Sequence, residues 1–330
     1  ENSMNKKWKS LIAAMLLTVG VGLVGCSNQG SEEKVIIYSN ADDEAITAMK
    51  NALDKGGYKD QYVFQTFGTS ELGGKLMAEG NAIEADIVTM SSFYLDSAQE
   101  TNSMFKALEF DLPALSEYPD FYYPITAQEG AILVNTQVLK ENNLPMPSSI
   151  KDLADKKYKD MISVTDIKSS STAWLLLQAI ISEYGEDGAK DVLRGIYDNA
   201  GDHIEESGSA PLKKVRAGEL AIGFGLRHQA VADKESGLPI DYVDPSEGTF
   251  TLTESVAVVD KKEEINSKAM DMARVMVEGA RAELLKTYPL VLYEGEKQDS
   301  SNQSANEKTF KDPLTLELLE KHQKLSEECK

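Results

Sequence analysis

The sequence has 330 residues, of which 42% are hydrophobic and 27% are charged, and its formal net charge is −20. This length accommodates two domains of ordinary size, and the apolar content is that of a globular protein. The acidic balance, without any long run of Lys and Arg, argues against binding to nucleic acid or to anionic lipid.

The N-terminal stretch predicts a lipoprotein leader. Three lysines precede an apolar stretch from Leu11 to Val24, and Gly25 stands directly before Cys26. Because this arrangement is typical of a secretory signal that ends in a lipobox, we expect residues 1–25 to be removed and Cys26 to be acylated, for example with palmitate. Residues 26–34 would then be a flexible tether. The alternative, a transmembrane anchor, needs roughly 20 apolar residues, which is more than this stretch offers.

Residues that carry metal or redox chemistry are sparse. Apart from Cys26 the sequence holds one cysteine, Cys329, which we expect in a mobile C-terminal tail, and its three histidines are scattered. A structural disulfide, a metal cluster and a bound cofactor are therefore not expected. The sequence also lacks the common motifs of nucleophilic and zinc-dependent catalysis, so we predict no catalytic residues.

Three strand–helix units follow the leader. Buried strands are predicted at 35–38, 62–67 and 85–90, and each is followed by a polar turn and a helix. This alternation indicates an α/β fold with a largely parallel sheet, in which the carboxyl ends of the strands face a ligand crevice. The turns at those ends carry hydroxyl and amide side chains, namely Ser39, Asn40, Thr69, Ser70 and Ser91.

The second half of the chain continues the alternation. Strands are predicted at 158–164, 220–225 and 239–243, and a helix at 173–184. Hydroxyl side chains again precede helices, at Ser170, Ser171, Thr172 and Ser207. Helix N-termini attract anions through their free N–H groups and the helix dipole, so these turns favour an oxyanion site. Ser and Thr also cap helices where no ligand binds, which leaves a purely structural interpretation open.

Strands that would pass between the two halves set the expected domain boundaries. We predict crossovers near residues 130–136 and 247–256. Lobe 1 would then comprise residues 35–132 plus 253–330, and lobe 2 residues 133–252.

Six short segments carry a family resemblance by their order along the chain. They are Ile37-Tyr38-Ser39, Asn135-Thr136, Pro147 to Leu153, Lys157-Tyr158-Lys159, Ser169 to Thr172 and Arg216 to Glu219. Over residues 35–290 the sequence resembles the extracellular solute-binding proteins of ABC importers, in the branch of the ferric-ion-binding proteins. The resemblance implies a two-lobed type 2 periplasmic-binding-protein fold with ligand between the lobes. It also implies a monomer on the outer face of a Gram-positive-type membrane that delivers its ligand to a membrane permease.

The sequence departs from the ferric-binding pattern at one position. Ferric-binding members carry an adjacent tyrosine pair where this chain has Leu226-Arg227-His228-Gln229, so iron is not expected. The guanidinium of Arg227 suits a phosphate or phosphonate, and His228 adds a hydrogen-bond donor. Within this branch, the arrangement favours a phosphonate such as 2-aminoethylphosphonate.

An ammonium group at the other end of such a ligand calls for a carboxylate. The candidates are Asp42, Asp43, Glu44, Glu247 and Glu254. We select Glu247 first, because it directly follows a strand on the predicted cleft side, and expect Glu254 in the hinge.

Other functions stay open at this point. A phosphorylated sugar, thiamine or ferric iron would keep the binding-protein class. A surface-anchored phosphohydrolase would need a nucleophile and a base, for which His228 with Asp233 or Asp241 is the available set. A purely adhesive lipoprotein would bind no small molecule.

The leader yields a prediction that can be tested in cells. Replacement of Cys26 by Ala removes the thiol that would be acylated, so Cys26→Ala should release the protein into the medium and abolish labelling by radioactive palmitate. Cys329→Ala is the matched control and should stay labelled and membrane-bound. Equal labelling of the wild type and Cys26→Ala would contradict the prediction.

Overall fold

The computed structural model describes residues 33–330, so the predicted signal sequence and Cys26 lie outside the described residues. Nine strands and nine α-helices occupy this part of the chain. The strands are β1 (Val35–Ser39), β2 (Tyr62–Thr66), β3 (Ile87–Ser91), β4 (Tyr122–Asn135), β5 (Ile162–Thr165), β6 (Ile204–Glu205), β7 (Ile222–Leu226), β8 (Ile240–Val243) and β9 (Thr251–Val258). The helices are α1 (Asp43–Leu53), α2 (Thr69–Glu79), α3 (Ser92–Asn102), α4 (Thr136–Glu141), α5 (Trp174–Ala200), α6 (Ala210–Arg216), α7 (Arg227–Glu235), α8 (Glu263–Thr287) and α9 (Leu316–Glu327).

One mixed sheet runs through both halves of the chain, in the order β2-β1-β3-β9-β4-β7-β5-β6, and β8 pairs with β4. Strands β1, β2 and β3 are parallel, as are β5, β6 and β7, whereas β4 is antiparallel to its neighbours. The predicted α/β fold is confirmed.

Strand β4 joins the two lobes. It pairs with β9 from Tyr122 to Glu129, and from Gly130 onward it pairs with β7. The change of partner falls between two adjacent residues. A Cβ on Gly130 would lie 2.6 Å from the ring of Phe224, so the close packing at this point requires glycine.

Hydrophobic side chains cover both faces of the sheet. Helices α1 and α8 pack with Ile37 and Ile87 on one face, because β-branched residues of β1 and β3 alternate toward it. The other face carries α2, α3 and α5, and one core continues from Leu95 of α3 to Trp174 of α5. The two lobes therefore share a core on that face.

Helix α5 is longer than the sequence pattern predicted. It extends to Ala200, well past the predicted end at residue 184. The backbone breaks at Gly185, which has a φ of 70°, and the helix then resumes. This glycine explains why the sequence pattern predicts the end of the helix at residue 184. Between residues 33 and 330, no helix is both long enough and apolar enough to cross a membrane.

The C-terminal helix α9 packs against α5 and α3. The indole nitrogen of Trp174 donates a 2.8 Å hydrogen bond to Nδ1 of His322, and the hydroxyls of Tyr197 and Ser326 are bonded to each other. Cys329 is buried in the same core, so our expectation of a mobile tail is wrong. Helix α9 thus lies against residues assigned to both predicted lobes.

The buried His322 predicts an acid sensitivity. Burial lowers the pKa of His322 to about 4, whereas an unfolded histidine takes up its proton near pH 6.5. The unfolded state therefore binds more protons as the pH falls from 6.5 to 4, and the free energy of unfolding should decrease over that window.

His322→Gln retains an acceptor for Trp174 but does not titrate. Urea unfolding of both proteins at pH 7 and pH 5 should show a smaller loss of stability for His322→Gln than for the wild type. Equal losses would show that His322 does not contribute to the acid sensitivity.

Candidate ligand-binding cleft between the lobes

Polar side chains at the ends of β1, β2 and β3 form a bonded set on lobe 1. The hydroxyl of Thr89 donates to the hydroxyl of Ser39, and Nδ2 of Asn40 donates to Oγ1 of Thr69 at 2.8 Å. The amide oxygen of Asn40 is buried and has no hydrogen-bond partner within residues 33–330. Because an unpaired buried acceptor costs about 1–3 kcal/mol, this oxygen is well suited to accept from a ligand.

Lobe 2 presents a second polar set. Ser170 accepts a 3.3 Å hydrogen bond from the backbone N–H of Thr172, and the hydroxyl of Thr165 donates to the carbonyl of Ser207. The backbone of Gly208 lies directly against the side chain of Thr172, so that a Cβ there would overlap it. This close approach holds the turn at Ser207 beside the turn at Ser170.

One turn from each set contributes to a cavity of about 260 Å³, which Asn40 does not line. From lobe 1 it is lined by Thr69 and Ser70, and from lobe 2 by Ser170 and Ser171. Tyr94 lines the same cavity beside Ser70. The structure therefore brings together hydroxyl-rich turns that are about 100 residues apart in the sequence.

The remaining predicted hydroxyls lie nearby without lining this cavity. Ser39 is fully buried beneath the edge of the sheet, and Ser91 is buried at the end of β3, where it pairs with Glu254 of β9. Thr172 and Ser207 lie beside the lobe 2 lining through the contacts of Gly208 and Thr165.

Arg227 has partners inside the protein. Its guanidinium donates to both carboxylate oxygens of Asp244, at 2.7 and 3.2 Å, and to the carbonyl of Ser301 at 2.7 Å. The side chain is buried and stacks on the ring of Tyr242. In this arrangement the charge of Arg227 is neutralised by Asp244 and is not directed at the cavity, contrary to what the sequence pattern led us to expect.

Glu247 likewise has a structural environment. Its two oxygens accept from the backbone N–H groups of Ile150 and Lys151, at 2.8 and 2.9 Å, and from the hydroxyl of Tyr184 at 2.8 Å. It is 1% exposed. These bonds satisfy the carboxylate within lobe 2, so Glu247 is not positioned for an ammonium group.

A different pair of carboxylates lies between the lobes. Asp42 accepts a 3.1 Å hydrogen bond from the hydroxyl of Tyr288, whose ring packs on that of His228. Burial raises the pKa of Glu254 to about 7, and the negative charge of Asp42 adds to the shift. Asp42, Glu254 and Tyr288 come from lobe 1 and the hinge, and His228 from lobe 2.

Burial disfavours the charged form of His228. Burial lowers its pKa to about 4, and the opposing effect of Asp42 is smaller. A neutral imidazole offers one donor and one acceptor. No sequence pattern indicated Tyr288 or Tyr94, because neither belongs to a polar turn at the end of a strand.

Metal ligands are not gathered in this region. Within the described residues, no group of three or more His, Cys, Asp or Glu side chains could hold a metal ion.

A family model described as bacterial extracellular solute-binding protein matches residues 82–313. The chain belongs to this family. Its members are binding proteins and not enzymes, and they deliver small-molecule ligands to ABC permeases. The expectation that the chain is not an enzyme is thus confirmed, and the hydrolase alternative is set aside.

Solved structures share the fold. Iron-bound HitA from Pseudomonas aeruginosa is 17% identical, with 90% of this chain and 99% of that chain covered and a TM-score of 0.75. AfuA from Actinobacillus pleuropneumoniae, with bound fructose-6-phosphate, is 20% identical, with coverages of 90% and 97% and a TM-score of 0.71. A periplasmic thiamin binding protein is 17% identical, with coverages of 90% and 95% and a TM-score of 0.71.

One curated relative is an uncharacterised protein of Haemophilus influenzae. It is 23% identical over 281 residues, which are 82% of this chain and 78% of that protein. The structural likenesses confirm the predicted two-lobed periplasmic-binding-protein fold. This solute-binding protein has relatives of the same fold whose ligands differ widely in charge and size.

The buried ion pair of Arg227 yields a prediction about stability. Arg227→Met leaves Asp244, which is 14% exposed, without its guanidinium partner, so the free energy of unfolding should fall by about 3 kcal/mol, the lower end of the range for breaking a buried pair. Arg216→Met is the matched control, since Arg216 pairs with Asp233 at a more exposed position, and it should cost about 1 kcal/mol or less. Urea denaturation measures both. Similar losses for the two variants would contradict a structural role for the pair of Arg227 and Asp244.

Proposed function

We propose that this solute-binding protein captures a small solute that carries an oxyanion and an ammonium group, a phosphonate such as 2-aminoethylphosphonate, for delivery to an ABC permease. The observation that carries the proposal is the cavity between the lobes, where hydroxyl-rich turns of both lobes face each other. Its volume of about 260 Å³ suits a compact ligand, since sites for drug-sized molecules begin near 300 Å³.

The anionic end of the ligand is assigned to lobe 2. The turn of Ser170 and Ser171 precedes α5, and the turn at Ser207 precedes α6. Free N–H groups and hydroxyls at such positions stabilise an oxyanion without a cationic side chain. This assignment no longer requires Arg227, whose charge is already neutralised by Asp244.

The ammonium end is assigned to Asp42 and Glu254. Burial raises the pKa of Glu254, and the negative charge of Asp42 adds to the shift, so a cation beside the two carboxylates would be stabilised. Both carboxylates lie outside the lining of the 260 Å³ cavity. The unpartnered amide oxygen of Asn40 lies two residues from Asp42 and adds an acceptor for an N–H group. Glu247, our first choice from the sequence, is replaced in this role because backbone N–H groups already occupy it.

A phosphorylated sugar is the second candidate. Neutral hydrogen-bonding groups suited to sugar hydroxyls line the cavity at Thr69, Tyr94 and Gln323. The solved structure of AfuA contains fructose-6-phosphate in a protein of the same fold. Such a ligand would use the same anionic end and would not require Glu254.

Ferric iron is less compatible with these residues. The segment at the end of β7 is Leu226-Arg227-His228 and lacks a phenolate pair. Thiamine is also less compatible with this cavity. Its cation would call for several aromatic faces, whereas Tyr94 is the one aromatic residue among the described residues that line the cavity.

We also propose that Cys26 anchors the protein in the outer face of the cytoplasmic membrane of a Gram-positive-type cell. The lipobox sequence supports this, and the tether of residues 26–34 would give the lobes reach toward the permease. We propose that the protein acts as a monomer.

Thermal unfolding with a panel of solutes tests the proposal. The chain without its first 26 residues retains the compact unit of residues 34–330, and it should be stabilised by 2-aminoethylphosphonate, by roughly 2.7 kcal/mol at a hundredfold excess over the dissociation constant. Inorganic phosphate, methylphosphonate, fructose-6-phosphate, thiamine and ferric citrate complete the panel.

Glu254→Gln separates the two ends of the ligand. The variant should weaken the binding of 2-aminoethylphosphonate by about tenfold, because it removes a charge that faces the ammonium group. It should leave the affinity for methylphosphonate unchanged. Glu264→Gln, at an exposed position on α8, is the control. Stabilisation by fructose-6-phosphate alone would indicate that the site binds sugar phosphates and not phosphonates. Stabilisation by ferric citrate or thiamine alone would refute an oxyanion site.

A further inference from the structure

A second and larger cavity lies on the opposite face of the ribbon formed by β4 and β9. Its volume is about 840 Å³, and from the ribbon it is lined by Glu129, Thr251 and Thr253. Successive side chains of a strand point to opposite faces, so Thr253 and Glu254 point to opposite sides of β9. Leu252, on the same side of β9 as Glu254, also reaches this cavity, but neither Asp42 nor Glu254 lines it. The cavity, called here the hinge cavity, is on that ground separate from the carboxylates assigned to the cleft.

Two buried polar groups of the hinge cavity lack partners. Glu129 is 3% exposed, and its Oε2 accepts from the hydroxyl of Ser304, but its Oε1 has no hydrogen-bond partner within residues 33–330. Gln178 of α5 is 1% exposed, and its Nε2 is unpartnered in the same part of the chain. One cavity thus contains a buried acceptor and a buried donor, each of which is unfavourable while it stays unpaired.

The charge of the hinge cavity is negative. Asp96 also lines it, and burial raises the pKa of Asp96 to about 6 and that of Glu129 to about 7. Lys308 also lines the cavity. Its Nζ donates a 3.0 Å hydrogen bond to the carbonyl oxygen of Glu247 and lies 3.8 Å from Oε2 of Glu183. A cation that enters the cavity would restore the ionised form of the two carboxyl groups.

Aromatic rings supply the remainder of the lining. Phe93, Phe250 and Phe310 contribute to it, and the rings of Phe250 and Phe310 meet edge to face, 6.4 Å apart. Aromatic faces bury apolar surface and attract cations. The volume lies within the range of about 300–1,000 Å³ that is usual for small-molecule sites.

We propose that the hinge cavity is a second binding site, for a small primary amine with an apolar body, whose ammonium group binds Glu129 and whose hydrogen-bond acceptor binds Nε2 of Gln178. The proposal goes beyond solute capture in the cleft and does not depend on which solute is bound there. The ligand bonds to β4 and α5 and packs against α3 and the segment that precedes α9.

Isothermal titration calorimetry with L-phenylalaninamide tests this site, because the probe combines an ammonium, a carbonyl and a phenyl ring. The titration uses the chain without its first 26 residues. The wild type should bind L-phenylalaninamide at least about tenfold more tightly than 3-phenylpropanamide, which lacks the ammonium.

Glu129→Gln should weaken the binding of L-phenylalaninamide by at least about tenfold, and Gln178→Leu should weaken this binding by a smaller factor. Glu307→Gln is the matched control, since Glu307 also lines the cavity but is exposed, and it should change the affinity by less than about threefold. Melting temperatures show whether each variant is folded. If Glu129→Gln fails to fold, Gln178→Leu and the comparison of the two probes decide the matter.

The proposal is overturned if millimolar L-phenylalaninamide gives no binding heat, or if the neutral amide binds equally well. It is also overturned if folded Glu129→Gln binds like the wild type. Glu254→Gln distinguishes this site from the cleft and should leave L-phenylalaninamide unaffected. Binding of L-phenylalaninamide in a protein that ignores every solute of the cleft panel would support the hinge cavity and reject only the proposed function.

Discussion

Strand β4 pairs with β9 along its first part and with β7 and β8 along its second, and this pairing sets the arrangement of both lobes. A strand has two hydrogen-bonding edges, and β4 uses them for β9 up to Glu129 and for β7 and β8 beyond it. The two lobes therefore share one continuous sheet instead of being tethered by loops. Any change in the angle between the lobes has to bend β4 and β9, and hinge strands of this kind absorb small rotations of the lobes as units.

The ribbon of β4 and β9 also separates two chemically different spaces. Its alternating side chains place Glu254 toward Asp42 and the cleft, and Thr253 and Glu129 toward the hinge cavity. Each space contains a carboxylate whose pKa is raised by loss of solvent, namely the half-buried Glu254 and the buried Glu129. Proteins seldom keep such groups in the interior unless they are paired or functional, because the loss of solvation is expensive.

The charged groups that the fold needs are paired within the protein. Arg227 is neutralised by Asp244, Arg281 by Glu296, and Glu247 by backbone N–H groups. Breaking a buried pair leaves an uncompensated charge. These residues therefore stabilise the two lobes and the segment that follows α8. The cavity between the lobes is consequently lined by the hydroxyls of Thr69, Ser70, Ser170 and Ser171, and not by Arg227 or Glu247.

The sequence alone determined the α/β class, the two-lobed fold, most strands and the family, because these follow from local periodicity and from the order of segments along the chain. It also identified the turns at Thr69 and Ser170 that line one cavity, since strand ends in parallel sheets meet at a common edge.

Which charged residues are paired within the protein follows from the tertiary structure and not from the sequence pattern. Arg227 and Glu247 looked available because their partners, Asp244 with Ser301 and the N–H groups of residues 150 and 151, are distant in the chain or belong to the backbone. The same holds for α9, whose contacts with α5 depend on His322 and Cys329, and for the hinge cavity. Burial and hydrogen bonding between distant segments are properties of the folded chain, and no local pattern encodes them.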